Sequence, residues 1–142
     1  MRILLLMFAV LFSFEVLAED FRVGQVWEYK NRFLEGKSTI TILKVEKYSD
    51  LGDVIHIRVD EINMINPLKG NEINEIPHLP FKKSAIESSV TKLIRIEKEI
   101  PEYWEGYNTW REAYDAGKAG AFETSVKDTL KAMLGAEWVE KK

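Results

Sequence analysis

The sequence predicts an α+β domain in which an antiparallel meander of three to four strands packs against about three helices. Three observations carry this. Alternating, β-branched segments fill the first half of the chain, apolar residues recur at helical spacing in the second half, and short turns join successive strands.

From Gln25 to Phe33, Trp27, Tyr29 and Phe33 fall on one strand face and Glu28, Lys30 and Arg32 on the other. The turn 34–37 contains Gly36, and Ser38 to Lys47 is β-branched enough to be the returning strand. After the turn 49–53, Asp53 to Ile62 alternates cleanly. It sets Ile55, Ile57 and Val59 against His56, Arg58 and Asp60. Asn63 to Pro80 is punctuated by Pro67, Gly70, Pro77 and Pro80. Only a short edge strand near Glu72 to Ile76 is expected there.

Helical spacing then predicts a helix over Lys83 to Leu93, from Ala85, Ile86, Val90 and Leu93. Pro101 suits the first turn of a second helix, which Gly117 ends. Ala119 to Glu123 reads as a short extended segment. Ser125 with Asp128 resembles a cap for a third helix that Gly135 stops, and the tail Glu137 to Lys142 is expected to fray apart from Trp138. All three helices are expected on one face of the sheet, leaving the other wet.

Residues 1–18 read as a signal peptide. Met1-Arg2 is a basic start, Ile3 to Phe14 is apolar except for Ser13, and Val16-Leu17-Ala18 suits cleavage. A periplasmic or secreted domain over residues 19–142 follows, with no membrane span in the mature chain. A domain of that size buries roughly 65% of its unfolded surface, enough for a core without covalent staples. The 142 residues hold 20 Lys+Arg against 23 Asp+Glu, a net charge of −3, which disfavours nucleic acid as a partner. Absence of cysteine excludes disulfide frameworks, thiolate catalysis, iron–sulfur clusters and Cys-type zinc sites. No cofactor or metal is expected.

Candidate chemistry is sparse. His56-x-Arg58-x-Asp60 fits an anion-binding strand face, or more simply a solvated one. Glu75-x-x-His78 has the spacing of a metal pair, but Pro77 argues against the helix that would align it. No Gly-x-Ser-x-Gly elbow, Ser-x-x-Lys pair or phosphate loop occurs. Aromatic residues are more telling. Tyr103, Tyr107, Trp110 and Tyr114 form one helical stripe, read as a core face, and Trp104 lies about 100° off it. Exposed Trp and Tyr beside charges serve protein hot spots and sugar platforms, so Tyr103, Trp104, His78 and Glu105 are the expected interaction residues.

Several segments resemble a family of small exported bacterial proteins of uncharacterised function. They are Val23-Gly24-Gln25-Val26-Trp27-x-Tyr29, Ser38 to Glu46, Val54-Ile55-His56-Ile57, His78-Leu79-Pro80-Phe81, Ser89-Val90-Thr91, and Gly106-Tyr107-x-x-Trp110 running into Asp115 to Gly120. The resemblance spans the mature chain as a fold signature and transfers no residue role. Similar sequences place a serine after His-Leu-Pro-Phe, where it would cap a helix. Lys82 stands there in this chain, which weakens the cap by about 1 kcal/mol unless Ser84 takes over.

The expected function is binding without catalysis, by an immunity or inhibitor protein whose partner is an exported toxin or cell-wall hydrolase. Two alternatives stay open. One is a small-ligand or glycan pocket between the sheet and the 63–80 segment, touching Trp104 or His78. The other is a hydrolase using His78 or His56 with carboxylates.

Overall fold

The computed structural model describes residues 20–32, 35–66, 69–134 and 139–140. The expected signal peptide lies outside them, as does most of the C-terminal tail. In order the elements are β1 (Gln25–Tyr29), β2 (Thr39–Tyr48), β3 (Gly52–Ile65), β4 (Glu72–Lys82), α1 (Lys83–Ser89), β5 (Val90–Ile96), α2 (Trp104–Asp115), α3 (Val126–Leu134) and β6 (Val139–Glu140). The class is α+β with three helices, as the periodicities predict. The sheet is larger than predicted, with five antiparallel strands in the order β4-β3-β2-β1-β5. The two-residue β6 adds to β3 at Met64 and Ile65, where a frayed tail was expected.

The extra strand is β5. A helix continuing to Leu93 was expected, yet α1 ends at Ser89. There the Ser88 and Ser89 hydroxyls donate to the Ala85 carbonyl, and Lys30 N–H donates to the Ser89 carbonyl. Val90 to Ile96 then runs as an edge strand on β1, because the β-branched Val90, Thr91, Ile94 and Ile96 fit a pleated surface better than a helix. Lys82 occupies the N-cap of α1 with no side-chain cap bond, and Ser84 does not replace it. The cap of α3 is as read: Ser125 Oγ accepts from Asp128 N–H at 3.1 Å. The edge strand β4 runs through both prolines to Lys82. Pro80 turns its nitrogen to the outer edge, where its carbonyl accepts from Phe122 N–H at 2.9 Å, so β3 loses no bond there.

The helices do not share one face. Ile40, Ile42, Ile55, Ile57, Leu79 and Phe81 pack with Ala85 and Ile86 of α1 and with Val126 and Leu130 of α3. On the opposite face Leu43 packs with Tyr103 and with Tyr107 of α2. The expected wet face is therefore only half wet. The row Glu28, Thr39, Asp60, Glu75 crosses four strands and stays polar, whereas His56, four residues before Asp60 on the same face, is completely buried. Among the described residues no helix is long and apolar enough to cross a membrane.

Candidate functional site

The site begins with a bulge. Ile42 pairs with Ile57 while Lys44 pairs with His56, so Leu43 is an extra residue in β2. Simple alternation would keep Lys44, Glu46 and Tyr48 on the face of Ile42. The bulge turns all three to the other face, beside His56 and under α2.

A chain of polar contacts follows. Glu46 Oε1 accepts from Tyr107 Oη at 2.8 Å and Tyr48 Oη at 2.9 Å, and it lies 3.0 Å from His56 Nε2. That last contact is close but poorly aligned, since His56 Nε2 meets no hydrogen-bond geometry. On its other side His56 Nδ1 lies 2.8 Å from His78 Nε2. Arg111 donates to Tyr48 Oη at 3.0 Å and stands 3.8 Å from Glu46. Burial drives the pKa of His56 down to about 4, with His78 adding to the effect and Glu46 opposing it. Burial likewise takes His78 down to about 4. For Glu46, burial pulls upward, but hydrogen bonds from Tyr107 and Tyr48 outweigh it and hold the carboxyl below its ordinary value.

The aromatic stripe forms the cover. Tyr107 and Trp110 meet the His56 ring edge-on at 5.1 and 5.0 Å, and Tyr103 and Tyr107 are buried as the stripe predicts. Trp110 Nε1 donates to the Gly120 carbonyl at 2.8 Å, and Tyr114 donates to Asp50 at 2.6 Å. Trp104 stays 49% exposed, stacked on Tyr103 at 4.7 Å with Lys44 5.5 Å over its ring.

An open groove of about 1100 Å³ runs between α2, β4 and residues 119–122. Tyr103, Trp104, Glu105 and His78 all line it, so the four residues singled out from sequence converge there. Glu75, Glu102 and Arg58 are its other charged residues. Arg58 is ion-paired to Asp60 at 2.9 Å and to Glu75, leaving the groove net acidic. Gly106 allows α2 to come this close, because a Cβ there would lie 2.9 Å from His78 Cβ.

Glu46 and Gly106 escaped the sequence reading as site residues, and His56 entered it only in the anion-binding and hydrolase alternatives. Regular alternation hid Glu46 behind a bulge with no residue signature, and His56 read as part of a solvated face. Gly106 in a helical pattern is a weak signal of close approach. Glu75 and His78 sit on a strand, and among the described residues no three His, Cys, Asp or Glu are placed to hold a metal. Compared with protein families, curated proteins and solved structures, the chain matches none.

Proposed function

We infer that this is an exported binding protein whose α2–β4 groove seats a basic segment of a partner protein, as an inhibitor or immunity protein would occupy a toxin or cell-wall hydrolase. The observation that carries this reading is Trp104, a large ring half in solvent yet held in place by Tyr103 and Lys44 at the groove's rim. A rigid exposed tryptophan loses little entropy on binding and offers much apolar area, the profile of an interface anchor. Glu102 and Glu105 beside it favour a cationic partner. The groove's one threonine, Thr109, donates to the Glu105 carbonyl rather than to His78, which fits binding better than nucleophilic catalysis.

The test is capture of exported proteins of the source cell by the full chain, repeated with Trp104→Ala. The wild type is expected to retain one basic partner at one-to-one stoichiometry. The variant is expected to lose it by tenfold or more, about 1.4 kcal/mol, while its melting temperature moves by no more than a degree or two. Equal retention by the variant would remove the groove from the interface. A second reading, a glycan or small ligand stacked on the same ring, predicts instead that a soluble compound raises the melting temperature.

A further inference from the structure

The groove carries a recognition atom whose hydrogen-bonding sense is fixed by residues behind it. Glu46 is ionised at neutral pH, so the His56 nitrogen 3.0 Å from its oxygen must be the protonated one, because a lone pair there would face a negative charge. Neutral imidazole has one donor and one acceptor, so protonation at Nε2 leaves His56 Nδ1 an acceptor. The 2.8 Å contact then requires His78 to donate from Nε2, which leaves His78 Nδ1 bare. Within an imidazole ring the two nitrogens point well apart, so Nδ1 faces away from His56. Among the described residues it has no hydrogen-bond partner, and unlike His56 Nε2 it is not sealed from solvent. It borders Gly106, where a Cβ would lie 3.6 Å from it, so the missing side chain leaves this nitrogen uncovered.

We propose that Glu46 and His56 act as positioning residues that lock His78 as a hydrogen-bond acceptor in the groove, and that the bound segment inserts a group made only of donors, an arginine or lysine side chain, against it. This rests on the binding reading above and names the anchor it selects. Guanidinium and ammonium groups have donors and no acceptor. Here such a group meets a bare ring nitrogen and the carboxylates of Glu102 and Glu105, beside the exposed edge of Trp104, whose ring is already stacked on Tyr103 and carries Lys44. Both histidines are uncharged at neutral pH, so neither repels a cation. Arg58, the groove's own cation, is neutralised by Asp60 and Glu75.

The test is long-range proton–nitrogen NMR of the full chain at pH 7, free and titrated with tri-arginine amide or tri-alanine amide. Expected are a His78 protonated at Nε2 alone, and shifts at His78 Nδ1 and the Trp104 indole with tri-arginine amide. The alanine peptide should bind about tenfold more weakly or worse, and Glu46→Gln should weaken the arginine peptide severalfold by releasing the tautomer. A His78 protonated at Nδ1 in the free protein overturns the acceptor assignment and leaves the groove reading standing. Equal shifts with both peptides, confined to Trp104, overturn the cationic anchor alone. No shift with either peptide at millimolar concentration overturns both. The tautomer is read on the wild type, so a variant that fails to fold does not spare the proposal.

Discussion

Gly106 is the residue on which the approach of α2 to β4 turns. Its hypothetical Cβ would meet His78 Cβ at 2.9 Å, an atom fixed to the strand backbone and unable to swing aside. Alanine gains about 1 kcal/mol of helix propensity over glycine, but forcing a methyl into a packed contact costs roughly 1–3 kcal/mol. Gly106→Ala is therefore expected to lose about 1 kcal/mol net, a fall of about 4 °C in melting temperature, measurable by calorimetry. A rise would mean that α2 shifts without penalty. Nothing in the sequence around Glu105-Gly106-Tyr107 reveals which strand residue lies beneath. The glycine was legible as a residue of weak helix propensity, and its purpose appears only across the interface.

Among the elements, the joint between α1 and α3 shows how a short helix is held without an N-cap side chain. Ser89, buried at the end of α1, donates to Ala85 and accepts from Val126 N–H at 3.0 Å, the first backbone donor of α3. One hydroxyl thus closes one helix and opens another. Ser89→Ala should leave a buried N–H unpaired and cost about 1–3 kcal/mol, read as a lower urea midpoint with an unchanged slope. A loss of a few tenths would show that water reaches Val126. The Ser88-Ser89 pair also explains why helical spacing misled beyond this point. Val90 and Leu93 continue the apolar period of the helix, yet the chain leaves it where the hydroxyls satisfy the Ala85 carbonyl and β1 offers a ladder. Periodicity alone does not separate a helix from a helix followed by a strand.

For the molecule as a whole, the buried histidine pair sets how stability responds to acid. In the unfolded chain each histidine titrates near its ordinary value of about 6.5, and in the folded state both are held down to about 4. Between these values the unfolded state binds more protons, so stability is full above about pH 6.5 and falls as pH drops toward 4. Each histidine contributes at most about 1.4 kcal/mol per pH unit in that window. Urea midpoints are expected to fall steadily from pH 7 to pH 4.5, and His78→Phe should flatten the curve. A flat wild-type curve would mean that both rings already carry ordinary values and that α2 does not seal them.

Taken alone, the sequence determined the class of the fold, most strand and helix positions, the cap of α3, and the aromatic stripe of α2 with Trp104 off it. These follow from local periodicity, turn chemistry and the contrast of an aromatic stripe with one ring off it, all written within a few residues of chain. The tertiary structure alone decided the five-strand order, the placing of helices on both faces, and the line from Glu46 through His56 to His78. Those depend on the Leu43 bulge and on pairings of residues as far apart as Glu46 and Tyr107. A one-residue slip reverses every side chain beyond it, and no neighbour in sequence records on which side of the slip a residue will fall.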